Sequence, residues 1–217
     1  MWCDTVCRSH GLATVLTPGL WACRDTPPPL YPDAVTLLPT TSSAQVLKVV
    51  GDRLTASVKD SAATLDLSSA GFGIRFEAQW IHRRPAPRRE PLPPGVQSCS
   101  TIETAAGLSE WAAAQGTPEV FRPELLDDPA VRILVAHDGD RVGAGAIANR
   151  SDTVVGISNV FTTTLDPSWV WTTFVHVVAH WAQDMPLVGY ERDADLVAAQ
   201  RAGFEAVGPL RVWVRPA

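Results

Sequence analysis

The chain has 217 residues, of which 46% are hydrophobic and 19% are charged. This length and balance fit one large or two small globular domains with a real core. The formal net charge of −5, without a concentrated Lys/Arg face, argues against a nucleic-acid partner. No apolar window is long enough for a membrane span, and the N-terminus lacks the order of a signal peptide. We therefore expect a cytoplasmic protein without membrane association.

The first part of the chain shows a mixed α/β pattern. Strands are predicted in "AVTLLP" (residues 34–39) and at residues 54–58 and 73–82. A helix is predicted in "AQVLKVVGD", with Ser42 or Ser43 as its N-cap and Gly51 at its end. In the strand at 73–82, Ile74, Phe76, Ala78 and Trp80 alternate with polar residues. We expect that apolar face to pack against the rest of the fold.

A proline-rich stretch then divides the chain. The run "RRPAPRREPLPPG" at residues 83–95 contains little that could be buried and is typical of a linker or surface crossing. We predict an N-terminal α/β segment at residues 1–84, a linker at 85–95 and a C-terminal domain at 96–217.

The second part has a clearer pattern. A strand is predicted at residues 98–104, then a helix from Thr104 to Gln115 that ends at Gly116. Residues 131–163 read as three antiparallel strands, with an Asp-Gly hairpin turn between the first two. Asp166 and Pro167 predict the start of a long, mostly apolar helix that runs to about residue 183. A strand at 185–190, a helix at 193–202 and a final strand complete the chain.

This order of elements resembles the GNAT superfamily of N-acetyltransferases, most closely over residues 131–214. The stretch "LVGYERDADLVAAQRAGFEAVGPLRVWV" (residues 187–214) is similar to the family's segment after the fifth strand, with Gly203 and Phe204 in the matching places. The resemblance implies an α/β fold with a mixed, mostly antiparallel sheet flanked by helices. It also implies acyl transfer from acetyl-CoA or another acyl-CoA to an amine.

The resemblance places the cofactor site between two strands and a helix start. In the family the fourth and fifth strands run parallel and then splay, which exposes backbone amides to the pantetheine arm. Here "VVGISNVFTT" (154–163) and "MPLVGYE" (185–191) match these strands. The cofactor-binding residues implied are Asn159, Val160 and Phe161 on the fourth strand and Ser168 and Trp169 at the helix start.

Two departures from the family pattern concern cofactor and catalysis. The pyrophosphate loop of the family is rich in glycine, whereas "TTTLDPSWVW" (162–171) has none, and Asp166 brings a negative charge to that position. The tyrosine that many members carry five residues before the Gly-Phe phenylalanine is replaced by Ala199.

The catalytic candidates lie at the end of the fifth strand. With no tyrosine at position 199, Tyr190 or Glu191 is the alternative proton donor. Glu191 is also the preferred general base, with Glu77 as the weaker candidate.

Two functional hypotheses remain open at this level. The first is an acyl-CoA-dependent N-acyltransferase acting on an amine of a small molecule or peptide. The second is an eroded GNAT-like protein whose cleft binds a small molecule or a protein partner, or performs non-acetyl chemistry. A homodimer is a further expectation.

Two sets of side chains raise the question of metal binding. His176 and His180 share a helix face at i, i+4 spacing but lack a third ligand, so we interpret them as structural. Cys3, Cys7, His10 and Cys23 offer zinc-binding side chains at a spacing that fits no standard motif. We predict no metal site, with zinc as the alternative for the cysteine set.

A weak internal repeat adds a hypothesis about the N-terminal segment. The stretches "SSAGFGIRFEAQWIHR" and "QRAGFEAVGPLRVWVR" both place Ala-Gly-Phe before a strand with Trp and Arg. We interpret the first segment as a degenerate half of the same domain type.

Overall fold

The structure, a computed structural model, describes residues 1–85, 99–182 and 184–216. It divides into two compact units, residues 1–79 with 208–217, and residues 80–207. Most of the predicted linker, residues 86–95, lies outside the described residues, as does Gln183 near the predicted end of the long helix. The domain boundaries proposed from the sequence stay a prediction.

The first unit contains two α-helices and parts of two long strands. Its elements are α1 (Trp2–Ser9), β1 (Thr14–Leu16), β2 (Leu20–Cys23), β3 (Ala34–Thr36), α2 (Ser43–Val50), β4 (Ala56–Asp60), a 3₁₀ turn (Ser68–Ala70), the start of β5 (Gly73–Arg83) and the end of β11 (Glu205–Arg215).

In its sheet β1 and β2 are antiparallel, β2 and β3 are antiparallel, β3 and β4 are parallel, and β4 pairs antiparallel with β11. The buried face of α2, Val46 and Val50, packs in an apolar cluster with residues of these strands.

Within the part of the chain that the structure describes, the second unit contains three α-helices. Its elements are the end of β5, β6 (Cys99–Thr101), α3 (Ala105–Gln115), a 3₁₀ turn (Pro123–Leu126), β7 (Val131–Asp138), β8 (Arg141–Arg150), β9 (Val155–Thr162), α4 (Pro167–Ala182), β10 (Leu187–Glu191), α5 (Asp193–Arg201) and the start of β11. Strands β6 to β9 pair antiparallel in chain order, and β9 pairs parallel with β10. These pairings confirm the predicted class, a mixed and mostly antiparallel sheet with helices.

The core of the second unit forms where α4 lies on the strands. Val170, Trp171, Phe174, Val175 and Val178 of this helix are at most 2% exposed and pack with apolar residues of β7 to β10. An apolar helix of this kind is stabilised by tertiary burial more than by its own propensity.

Local sequence signals set several helix ends as predicted. Ser42 forms a capping box with Gln45 at the start of α2. Thr104 accepts a hydrogen bond from the Gly107 amide at the start of α3, and Gly116 ends that helix in the left-handed conformation at φ +84°.

Both units repeat one order of elements. Each has two antiparallel strand pairs, then a helix, then a strand parallel to the preceding one. In each, a Gly-Phe pair then leads to a long strand, and the glycines, Gly71 and Gly203, have φ values of +80° and +92°. This order supports the interpretation of the first unit as a degenerate half-domain.

Two features of the first unit differ from the sequence expectations. Helix α1 and the short strands β1 and β2 were not predicted. Ile74, expected on the packed face of β5, is 51% exposed. On this strand the buried residues are Ala78 and Ile81, three positions apart and in different units, so no single strand face is buried along its length.

Among the described residues, no helix is both long enough and apolar enough to cross a membrane.

Candidate functional site

The candidate site lies where β9 and β10 of the second unit stop pairing. Their parallel register covers Leu187 with Val155 and Val188 with Gly156. Beyond these positions β9 runs on to Thr162 and β10 to Glu191. Residues 158–162 are all half-buried, as expected for a strand that borders an open groove. The structure therefore contains the short parallel pair and the divergence that the resemblance implied.

A glycine lets the two strands approach at the point of divergence. A Cβ added to Gly189 would lie 2.7 Å from the backbone oxygen of Ile157, which is closer than real Cβ atoms come. The backbones can therefore keep this spacing only if residue 189 has no side chain.

Strand β9 is bulged directly after this point. Its register with β8 shifts between Gly145 and Ile147, and Asn159 has a left-handed backbone at φ +54°. The Asn159 side chain accepts a hydrogen bond of 3.2 Å from Gln115 Nε2 of α3 and donates one to Ser158 Oγ at 3.1 Å. A bulge changes the direction of backbone groups and side chains. Because Gln115 of α3 holds the Asn159 side chain, α3 helps to fix the conformation of the bulge that borders the groove.

An aromatic cluster supports the bulge from beneath. Trp111 is fully buried, and its indole N–H donates to the Leu134 carbonyl at 2.9 Å. Its ring meets Phe161 edge-on, with centroids 5.1 Å apart. Gly145 leaves the room for both rings, because an added Cβ would overlap the Trp111 indole and the Phe161 ring.

The end of β10 carries the two predicted catalytic residues. Tyr190 meets Trp80 edge-on, with centroids 5.7 Å apart. Burial, and after it the nearby Asp195 carboxylate, raise the pKa of Glu191 to about 8 against the opposing effect of Arg192. A carboxyl group with this pKa can both accept and return a proton near neutral pH.

Several backbone amides around the start of α4 form hydrogen bonds within the chain. Asp166 caps the helix, because its carboxylate accepts a hydrogen bond from the Trp169 amide at 2.9 Å. The amides of Thr163 and Thr164 donate to the Gly143 carbonyl at 2.8 and 3.4 Å. Pro167, the first helical residue, has no N–H to offer.

The remaining predicted residues fall in several places. Val160 lies in the bulged part of β9, Ser168 and Trp169 are half-buried in the first turn of α4, and Ala199 is fully buried on α5. Glu77 lies in the first unit, where its carboxylate accepts two hydrogen bonds from Arg211, at 2.9 and 2.6 Å.

The equivalent strand pair of the first unit is bridged rather than open. Strands β3 and β4 also pair parallel over two positions, Ala34 with Val58 and Val35 with Lys59. The next residue, Asp60, is fully buried and accepts a hydrogen bond from the Leu65 amide at 2.8 Å and one from the Thr36 hydroxyl at 3.5 Å. A buried carboxylate therefore occupies the place where the second unit has Gly189.

The metal alternatives receive no support. Cys3, Cys7 and Cys23 are buried in one apolar cluster, and burial, with the neighbouring Cys23, raises the pKa of the Cys7 thiol. In residues 1–85, 99–182 and 184–216, no three His, Cys, Asp or Glu side chains are grouped as metal ligands.

Several residues of the site were not found from the sequence. Gln115, Gly145, Gly189 and Trp80 all contribute to its geometry. The signal available in advance was glycine inside strand patterns, which often marks a close backbone approach. Contacts such as Gln115 with Asn159 join distant parts of the chain and leave no local pattern.

Comparison with solved structures identifies the fold. A GCN5-related N-acetyltransferase from Kribbella flavida matches with a TM-score of 0.67 at 14% identity, covering 100% of this chain and 93% of that one. A GNAT-family acetyltransferase described from Novosphingobium aromaticivorans matches with 0.61 at 12% identity, covering 98% and 94%. The chain has the GNAT fold. A functionally unknown conserved protein from Staphylococcus epidermidis shares it, with a TM-score of 0.64 at 12% identity, covering 93% and 92%. No protein-family model and no curated protein sequence matches the chain.

The two halves of an acyl-CoA fit this GNAT fold unequally. The divergence of β9 and β10 fits a pantetheine arm, which can pair with strand amides in such a groove. The start of α4 does not fit a diphosphate, because Asp166 already occupies a helix amide and adds a negative charge. The loop also lacks glycine, Lys and Arg, the residues that most often hold phosphate groups in proteins.

Proposed function

We propose that the chain is an N-acyltransferase that moves an acyl group from a pantetheine thioester to an amine of a small molecule or peptide. Acyl-CoA is the donor that the resemblance implies. The observation that carries this proposal is the divergence of β9 and β10 after two paired positions. It leaves a groove of strand backbone whose chemistry matches the amides of the pantetheine arm.

Glu191 supplies the proton chemistry in this proposal. The amine enters the reaction as the neutral form, after its ammonium proton has passed to solvent, and its nitrogen lone pair attacks the thioester carbon. The Glu191 carboxylate takes the second proton from that nitrogen as the C–N bond forms. A backbone amide of the β9 bulge, near Val160, stabilises the oxyanion. When the C–S bond breaks, the protonated Glu191 returns the proton to the thiolate. One group thus acts as base and acid, which removes the need for a tyrosine at position 199.

Tyr190 and Trp80 are proposed to form one wall of the amine site. Both rings are half-buried, and they meet edge-on beside Glu191. Aromatic faces of this kind favour a cationic or aromatic amine, because a protonated amine is attracted to the ring before it loses its proton.

The second candidate is an eroded GNAT-like protein that binds a small molecule or a protein partner without acyl transfer. The charged start of α4 and the alanine at position 199 favour it. It differs from the enzyme in one measurable property, the amine-dependent release of a thiol.

The test is thiol release from acetyl-CoA and S-acetylpantetheine in the presence of primary amines, including 2-phenylethylamine and a lysine peptide. We expect amine-dependent release by at least one donor and amine. Gly189→Ala should lower it by about tenfold or more, because the added Cβ displaces β10 from β9. Gly156→Ala is the matched control, since its Cβ would meet only Asn149 O at 3.6 Å. Donor binding without amine-dependent release for any pair would favour the eroded protein.

A further inference from the structure

We propose that the acyl donor is recognised through its pantetheine arm alone and carries no diphosphate. Its class is a thioester of pantetheine, either free or as the phosphopantetheine arm of a carrier protein. This inference rests on the proposed acyl transfer and narrows its donor. The observations behind it are the hydrogen bonds and the charge at the start of α4, where the GNAT fold would receive a diphosphate.

Three backbone amides around the start of α4 donate hydrogen bonds within the chain. The amides of Thr163 and Thr164 donate to Gly143 O, and the amide of Trp169 donates to the Asp166 carboxylate. The hydroxyl of Thr162 donates to the Leu165 carbonyl at 2.5 Å and helps to fix the loop. A diphosphate would have to break such bonds before it could accept the same hydrogens.

The charge at this helix start is also unfavourable for a diphosphate. A helix N-terminus attracts one anion through its exposed N–H groups. Here that anion is Asp166, which is part of the chain. CoA would bring two diphosphate charges and a further phosphate toward the carboxylate, whereas free pantetheine brings none and a carrier-protein arm brings a single diester charge.

The groove for the pantetheine arm is kept while the diphosphate position is altered. Gly189 and the bulge at Asn159 preserve the divergence of the strands. In the first unit the corresponding divergence is bridged by the buried Asp60. The second unit has thus retained the part of a donor site that a pantetheine thioester needs.

The test compares the affinities of acetyl-CoA, S-acetylpantetheine and an acetylated acyl carrier protein by calorimetric titration of the full chain. We expect S-acetylpantetheine to bind within about threefold of acetyl-CoA or more tightly. Asp166→Asn keeps a capping side chain and should strengthen acetyl-CoA binding by about tenfold, with less than about twofold change for S-acetylpantetheine. Asp152→Asn, an exposed acid in the turn before β9, is the charge control and should change neither affinity.

The outcomes separate this inference from the function on which it rests. Acetyl-CoA binding more than about threefold tighter than S-acetylpantetheine in the unaltered chain would overturn the donor inference and leave acyl transfer standing. The donor inference would also be overturned, with acyl transfer still standing, if neither Asp166→Asn nor the second capping variant, Asp166→Ser, strengthens acetyl-CoA binding. No binding of any donor at millimolar concentration would overturn both. Preference for the carrier protein or for the free thioester supports the inference and identifies the source of the arm.

Discussion

Replacing Gly145 with alanine is expected to lower the free energy of unfolding by about 3 kcal/mol. The added Cβ would overlap two buried or half-buried aromatic rings, Trp111 and Phe161. Trp111 is fixed by its hydrogen bond to the Leu134 carbonyl, so moving the ring also leaves a buried N–H without its partner. Phe161 is paired with Gly145 across β8 and β9, next to the bulge. The substitution should therefore disturb the groove as well as the core.

Urea unfolding followed by tryptophan fluorescence measures this effect. Gly156→Ala is the control on the neighbouring strand, and we expect its midpoint to stay close to that of the unaltered chain. Equal urea midpoints for Gly145→Ala and Gly156→Ala would show that the Trp111 and Phe161 rings can accommodate an extra methyl group at position 145. The described packing around Trp111 would then be wrong.

Replacing Glu191 with glutamine is expected to reduce kcat/KM for acyl transfer by about 10² to 10⁴-fold. The base form of Glu191 is the active one, so the rate of the unaltered chain should rise with pH through the pKa of about 8. Asp195→Asn is the informative companion. It removes a like charge that raises the pKa of Glu191, and the rise in rate should move to lower pH. A pH profile unchanged by Asp195→Asn would assign the titration to another group.

Glu191 also links stability to pH. Its pKa rises from the ordinary 4.5 to about 8 in the folded chain, so the folded state holds the proton more tightly than the unfolded state. Stability should therefore fall as pH increases from about 4.5 to about 8, by about 5 kcal/mol from this group. Glu191→Gln removes this loss, so the variant should gain stability relative to the unaltered chain as pH rises through this range.

Local signals in the sequence predicted helices α2 to α5. The capping residues Ser42, Thr104 and Asp166 act on the backbone within their own helix turn, so short patterns were enough. Gly203 has the left-handed backbone expected of a glycine that follows a helix. The resemblance then placed Asn159 and Glu191 beside the divergence of β9 and β10.

The sequence was less informative where distant segments determine the environment. Helix α1 has no side-chain cap, and β1 and β2 have only three and four residues, which is too short for a clear alternation. Alternation marks one face of β5 but does not tell which part of a long strand is covered, and Ile74 on that face is 51% exposed. The pKa of Glu191 depends on burial and on Asp195, which only the folded chain defines.

The most direct test of the account is amide hydrogen exchange in the β9 bulge, residues 158–161, with and without saturating S-acetylpantetheine. If the divergence of β9 and β10 is the donor groove, exchange of these amides slows on binding while the amides of β3 and β4 in the first unit keep their rates. Bound donor with unchanged exchange at residues 158–161, or with protection in the first unit instead, would contradict the account.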